Sequence, residues 1–300
     1  CLPNGYFKVE NKPGFLNLDE ISNLVAAFTE LGVSKIRITG GEPTVRKDFF
    51  EVLKNIKSEH EISNLVITTN GYKLNEIAEE LIATRINGIN ISIDSLDRNK
   101  FKEITGQDRL PQILEGINIL QNKGFKNIKV NAVLLKNVND SLEEFQNWER
   151  FINNNEIDFR YIELMQTGDN LEYFKKYHTS AFVFKKYIES QDWKEISRIS
   201  DAGPSINYVH SKLKGKFGII APYSKDFCST CNRLRITAKG ELRLCLFGNT
   251  GTNLRPYLQN QNQKDELIEL ILKQLRFKKE SHYLETGNTG ITPHLASIGG

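Results

Sequence analysis

Three of the chain's four cysteines stand close together, as Cys228, Cys231 and Cys245 in the spacing C-x2-C-x13-C; the fourth is Cys1. Thiolates are soft anionic ligands. Three around one centre can hold a metal or an iron–sulfur cluster and leave one coordination position for another molecule. The local sequence is Cys228-Ser229-Thr230-Cys231-Asn232-Arg233-Leu234-Arg235, and Cys245 falls on a predicted returning strand beyond a turn at Lys239-Gly240. A hairpin joins its two ends in space, so Cys231 and Cys245 can meet. Arg233 and Arg235 alternate onto one side of the strand, where paired guanidiniums suit a phosphate or carboxylate. On spacing alone a structural zinc knuckle, with His210 or an acid as fourth ligand, stays an open alternative.

A second group of polar residues recurs where predicted strands end. Gly40-Gly41-Glu42-Pro43 follows one strand and precedes a helix. Its glycines let backbone approach a ligand, and its proline stiffens the turn, although an ordinary βα turn reads the same way. Thr68-Thr69-Asn70-Gly71 ends the next run, and Ser92 and Asp94 end the one after. The C-terminal ends of parallel strands are where barrels assemble small-molecule sites.

The elements that must position these groups alternate strand and helix. Runs at Lys35–Thr39, Asn64–Asn70, Ile89–Asp94, Ile128–Leu135 and Phe159–Met165 are separated by helical patterns at Leu18–Leu31, Asp48–Ile56, Leu74–Ala83, Leu110–Lys123 and Leu142–Asn153. Asp19, Asn75 and Asp140 are candidate caps, and Gly32 and Gly124 lie just past helix ends. The order predicts parallel strands joined by crossovers. Within the strands Ile89, Ile91 and Ile93 alternate with Asn90, Ser92 and Asp94, and Ile128, Val130 and Ala132 with Lys129 and Asn131. A doubly covered parallel sheet reads as continuous apolar runs instead. One face here is polar and partly cationic, which predicts the lumen of an incomplete, wide barrel that takes a polar anion. An antiparallel sheet with one wet face would alternate likewise, but the intervening helices argue against it.

After about residue 200 the style changes. Val209–Ala221 and Leu234–Phe247 read as strand pairs turning at Lys214-Gly215 and Lys239-Gly240, and Asp265–Phe277 reads as a helix. The basic residues at that helix end (Lys273, Arg276, Lys278 and Lys279) read as a solvated terminus. Tyr173–Trp193 reads as an aromatic-rich helical segment without chemistry. The division is therefore expected at 1–200 and 201–300. The chain has 300 residues, 39% hydrophobic and 26% charged, with a net charge of only +3. Such a balance gives no argument for nucleic acid or an anionic membrane, and no apolar run is long enough to span a bilayer. The chain starts at Cys1 and its single methionine is Met165, so it is expected to be processed or to lack its start. Clustered cysteines without a second cysteine-rich half favour a reducing, cytoplasmic setting over a disulfide framework.

These motifs together resemble the radical S-adenosylmethionine enzymes, and within them the GTP 3′,8-cyclase family (molybdenum cofactor biosynthesis protein A). The resemblance covers essentially the whole chain. It is carried by Cys1-Leu2-Pro3, Ile38-Thr39-Gly40-Gly41-Glu42-Pro43, Thr68-Thr69-Asn70-Gly71, Ser92-Ile93-Asp94-Ser95-Leu96, Phe227–Arg235 with Cys245, and Gly299-Gly300. It implies an α/β fold: an incomplete (βα)6-type TIM-like barrel with a C-terminal α+β extension bearing a second iron–sulfur cluster. It implies two [4Fe–4S] clusters and S-adenosylmethionine as cofactors. Cys1 would be the last cysteine of a C-x3-C-x2-C loop whose earlier members are not in this sequence; Cys228, Cys231 and Cys245 would hold the second cluster. Gly41, Ser92 and Met165 would bind S-adenosylmethionine, and Arg37, Thr68, Lys129, Arg233 and Arg235 would bind GTP. No side chain is assigned a catalytic role. Where the family often has Pro after the methionine, this chain has Gln166.

The implied reaction is reductive cleavage of S-adenosylmethionine to a 5′-deoxyadenosyl radical, removal of the C3′ hydrogen of GTP, and C3′–C8 closure to 3′,8-cyclo-7,8-dihydro-GTP, the first step of molybdopterin biosynthesis. The implied partners are GTP, a flavodoxin- or ferredoxin-type reductant and a downstream cyclic pyranopterin monophosphate synthase, with no nucleic acid and no membrane; homodimerisation stays open. Two rival readings are a radical S-adenosylmethionine peptide maturase with an auxiliary cluster, and a zinc-knuckle binding protein without catalysis. The tail Gly299-Gly300 reads as a flexible terminus or as a segment slim enough to enter a narrow space.

Overall fold

Period-two alternation in the first half of the chain becomes a row of parallel strands. The computed structural model describes residues 14–60, 62–197, 203–225, 227–229, 231–292 and 294–295, so Cys1 and Gly299-Gly300 lie outside the described residues. Strands β1 (Lys35–Ile38), β2 (Asn64–Thr69), β3 (Gly88–Ser92), β4 (Ile128–Leu134) and β5 (Asp158–Glu163) pair in parallel in sequence order. Helices α1 (Leu18–Glu30), α2 (Phe49–Glu59), α3 (Leu74–Ala83), α4 (Arg98–Thr105), α5 (Leu110–Asn122) and α6 (Leu142–Asn155) occupy the connections and the approach to β1. The register aligns Ile67 with Ile89, Ile91 with Val130 and Ala132 with Tyr161, so each strand's apolar set shares one face. These residues, with Leu53, Leu81, Ile117 and Trp148, form the main core between sheet and helices. Trp148 of α6 stacks on Phe159 of β5 with ring centroids 4.0 Å apart.

The sheet then takes a second series of strands. After α7 (Leu171–Tyr177) and α8 (Lys185–Ser190) come β6 (Trp193–Ile196), β7 (Ile206–His210) and β8 (Phe217–Ile220), and the full order is β1-β2-β3-β4-β5-β8-β7-β6. β8 lies parallel to β5, whereas β7 and β6 return antiparallel. The six parallel strands make the incomplete barrel expected from the sequence. The sheet crosses the division expected at residue 200, since β7 and β8 follow it in the chain and still join the barrel strands.

Local details differ from expectation in instructive ways. The cap of α1 is Asn17: its Oδ1 accepts the Glu20 N–H at 2.8 Å and the Glu20 carboxylate accepts the Asn17 N–H at 2.9 Å. Asp19 is therefore inside the helix. Ser141, one residue after the expected Asp140, caps α6, and Asn75 sits within α3, where its amide bonds Glu115. Tyr173–Trp193 is not one helix. Ser180 caps a separate short turn and Trp193 begins a strand, so the helical pattern is cut twice. Helix α4 was not anticipated; Asp97 caps it, and Gly106 ends it at φ +70°.

The C-terminal extension is a small sheet, β11 (Thr252–Asn253), β10 (Glu241–Arg243) and β9 (Arg235–Ile236), followed by α9 (Lys264–Leu275). Its Leu242, Leu254, Leu258, Leu267 and Ile271 form a second core with Leu16, Leu24, Ala27 and Phe28 at the start of the chain. The buried Glu20 carboxylate fixes this junction, receiving Arg255 Nε at 2.7 Å and Gln259 Nε2 at 3.0 Å. Among the described residues no helix is long and apolar enough to cross a membrane.

Candidate functional site

The C-terminal ends of β1, β2 and β3 carry the glycine turn and its partners. Gly40 adopts φ +156°, and a Cβ built on Gly40 or Gly41 would meet nothing within 4 Å, so the turn presents bare backbone to open space. Glu42 holds it there. Its carboxylate accepts the Thr44 hydroxyl at 2.6 Å, the Thr69 hydroxyl at 2.7 Å and the Asn70 backbone N–H at 2.6 Å. Asn70 and Thr69 in turn accept the Tyr72 and Gly71 N–H groups, which shapes the loop after β2. Ser92 ends β3 beside Asn131 of β4. Asp94 is buried, and burial raises its carboxyl pKa; it accepts the Val133 N–H at 2.8 Å and so ties β3 to β4.

Met165 lies just past β5 against Leu246, Phe247 and Leu284 of the extension. The loop after it, which begins at Gln166, is held by its own bonds. Gln166 N–H donates to the Tyr223 hydroxyl at 2.9 Å, Thr167 N–H to Asn170 Oδ1 at 2.7 Å, and Asn170 Nδ2 to the Met165 carbonyl at 2.9 Å.

The polar strand faces converge on a small hollow of about 50 Å³, open to solvent and lined by residues that include Lys35, Arg37, Asn90, Lys129 and Arg160. Lys35 and Lys129 lie at or near the N-terminal starts of their strands, and Arg37, Asn90 and Arg160 further along theirs. Arg37 is exposed to solvent, although many protein atoms surround it. Enclosure, with repulsion from Arg160 and Arg233, pushes its guanidinium down to about 10. Desolvation, then Arg160, pushes Lys129 down to about 8, although Asp158 Oδ2 at 3.8 Å works the other way. Both effects mark cations crowded without enough counter-charge. Thr68 accepts the Asn90 amide at 3.2 Å. Among the described residues the buried Arg160 Nε and Asn131 Oδ1 have no hydrogen-bond partner, and Arg160 lines the hollow.

Cys228, Cys231 and Cys245 are free thiols, each partly buried. Burial, together with its neighbours Cys245 and Cys231, raises the Cys228 thiol pKa against hydrogen bonds from His282 N–H and Ser281. Burial acts on Cys231 too, but the Arg233 N–H, its guanidinium and the Lys278 ammonium bring that thiol below the usual range. Arg235, pushed down to about 10 by desolvation and Arg233, lies within electrostatic reach of Cys231, Cys245 and Arg37. The β9–β10 pairing, Leu242 with Ile236 and Arg243 with Arg235, makes the expected hairpin, but Cys245 lies two residues past the end of β10 and not on the returning strand.

Three free cysteine thiols are a donor set that suits an iron–sulfur cluster with one open iron, and with a fourth ligand the same set would suit zinc. His210, the suggested fourth zinc ligand, ends β7, rests on Trp193 with ring centroids 5.3 Å apart and accepts the Lys212 N–H.

Two groups escaped the sequence reading. Arg160 alternates with Phe159 and Tyr161 just as Lys129 does with its neighbours, so the same period-two signal could have found it. Lys278 was read as part of a solvated helix end, but it turns inward to the β9–β10 hairpin. No local pattern marks that contact.

Comparison with known proteins gives consistent results. The Radical SAM superfamily matches residues 1–149, and the Molybdenum Cofactor Synthesis C family matches residues 157–284. A GTP 3′,8-cyclase of Stenotrophomonas maltophilia (strain R551-3) is 47% identical over all of this chain and 91% of its own length. A GTP 3′,8-cyclase of Tolumonas auensis is 44% identical over all of this chain and 88% of its length. Among solved structures, Streptococcus suis SuiB bound to S-adenosylmethionine superposes with a TM-score of 0.62 at 18% identity, over 80% of this chain and 57% of SuiB, a likeness of fold.

Proposed function

The chain belongs to the GTP 3′,8-cyclase family of the radical S-adenosylmethionine superfamily, and on that premise we propose how its own residues carry the reaction. The substrate is GTP and the product is 3′,8-cyclo-7,8-dihydro-GTP, which enters molybdenum cofactor biosynthesis. Cys1 would be one ligand of a [4Fe–4S] cluster that, with S-adenosylmethionine bound, would supply the radical chemistry at C3′ of GTP. Gly41 offers backbone to the methionyl group, Ser92 and Met165 bound the same pocket, and Glu42 keeps the turn in place.

Arg37, Lys129, Arg160 and Arg235 neutralise the triphosphate, while Thr68 and Arg233 complete the lining. Cys228, Cys231 and Cys245 would hold the second [4Fe–4S] cluster, which would supply an open coordination position for the substrate. A triphosphate leaving water needs several cationic partners, and holding it at two ends fixes C3′ and C8 for closure. We assign the reaction to the cytoplasm, where thiols stay reduced, with a small acidic electron-transfer protein as reductant.

The observation that carries this reading is the cationic lining of the hollow by Lys35, Arg37, Lys129 and Arg160. It is tested by titrating GTP into the anaerobically reconstituted protein. Arg235→Ala is expected to weaken binding at least tenfold. Unchanged GTP affinity, or tight binding of a peptide in its place, would favour the maturase reading. Stoichiometric zinc without iron–sulfide absorption would remove the second cluster.

A further inference from the structure

We propose that the segment just after α9, Lys278 to His282, is a donor arm for the second cluster, and that Lys278 is a positioning residue that clamps together the segments carrying Cys231 and Cys245. The inference rests on the reading that Cys228, Cys231 and Cys245 hold a cluster, and it concerns residues outside that ligand set.

The geometry is specific. Lys278 Nζ donates to the Arg233 carbonyl at 3.0 Å and to the Leu244 carbonyl at 2.7 Å. Arg233 follows Cys231 by two residues and Leu244 immediately precedes Cys245. One ammonium therefore bridges the segment leaving one ligand and the segment entering another. The same Nζ stands 3.9 Å from Cys231 Sγ. Three residues on, Ser281 and His282 work against the burial that raises the Cys228 thiol pKa. A lysine on a solvated helix end would not have all three of its donors turned inward.

His282 anchors the arm. Its ring is buried; Nδ1 accepts the Leu284 N–H at 2.9 Å, so Nε2 carries the proton and donates to the Pro222 carbonyl at 2.9 Å. The ring packs against Phe227 and Phe247, each with centroids 5.7 Å away, and these flank Cys228 and Cys245. One short segment thus reaches the neighbourhood of all three ligands. Positive charge and hydrogen bonds at cluster sulfurs stabilise the reduced, more negative state and raise its potential. The arm accordingly sets the potential of the second cluster as well as its shape.

The test uses the whole protein, with Cys1→Ala to silence the other cluster, and two readouts that need no turnover. A redox titration followed by electron paramagnetic resonance gives the potential of the second cluster. Hydrogen exchange of the cluster-free protein gives the protection of residues 233–245. Lys278→Met is expected to lower the potential and speed exchange in the hairpin, and Lys278→Arg to restore both toward wild type. Ser281→Ala is expected to lower the potential with hairpin exchange unchanged, which keeps the test open if Lys278→Met folds poorly. Wild-type potential in both Lys278→Met and Ser281→Ala, or unaltered hairpin exchange in folded Lys278→Met, overturns the proposal. Failure of the Cys1→Ala parent to take up iron would instead remove the cluster reading on which it rests.

Discussion

The Glu42 carboxylate receives the Asn70 backbone N–H at 2.6 Å and so ties the loop after β1 to the loop after β2. The same carboxylate takes the Thr69 and Thr44 hydroxyls, and through them the glycine turn is held open. An acidic residue in a turn built to meet a cofactor is here a brace rather than a proton donor.

Replacing that brace should loosen cofactor binding more than it unfolds the protein. Glu42→Gln is expected to weaken S-adenosylmethionine about tenfold, or about 1.4 kcal/mol. Glu42→Ala should also cost about 1–3 kcal/mol of stability, because a charged acceptor of several bonds is lost. Equilibrium dialysis of the cluster-loaded protein and urea denaturation check the two; unchanged affinity in both variants would refute the bracing role.

Lys129 predicts a pH dependence with a definite sign. Its folded-state pKa is about 8, below the usual 10.5. Below pH 8 the folded protein therefore carries the full penalty of holding that charge. Between about 8 and 10.5 the unfolded chain binds more protons, so this group's effect on stability becomes more favourable as pH rises. GTP affinity should move oppositely, weakening above pH 8 as the ammonium is lost. Lys129→Met should flatten both profiles, measured by denaturation and by titration calorimetry from pH 7 to 10.

Arg160 should show the same opposition in a single substitution. Its Nε is buried without a partner among the described residues, and it adds to the repulsion felt by Arg37 and Lys129. Arg160→Met is expected to leave the ligand-free protein as stable as wild type or more so, while GTP binds about ten- to a hundredfold more weakly. A large loss of stability without ligand would mean the guanidinium is structural.

A stability test away from the site concerns the contact between α3 and α5. A Cβ on Gly116 would lie 2.6 Å from Leu74 Cβ and 2.7 Å from the Asn75 backbone nitrogen. Alanine gains about 1 kcal/mol of helix propensity, but the clash is with a side-chain root and backbone that cannot rotate away. Gly116→Ala should therefore destabilise by about 1–3 kcal/mol in denaturant titrations and leave GTP affinity of the folded protein unchanged.

The sequence by itself determined the features that repeat locally. Alternating strands and helices fixed a parallel sheet, and period two fixed which face of each strand is polar; the family resemblance named Arg37, Lys129 and Thr68, which sit on that face, and Arg160 was within reach. The cysteine spacing and the Lys239-Gly240 turn fixed the hairpin. Only the tertiary structure decided what those faces meet. Arg235 comes into the range of Arg37 because the extension packs its leucines on α1, and Lys278 turns inward because its ammonium finds two hairpin carbonyls. Helical and strand periods are set by neighbouring residues and survive in any short window. Contacts between residues far apart in the chain depend on how the whole chain closes, and no local spacing records that.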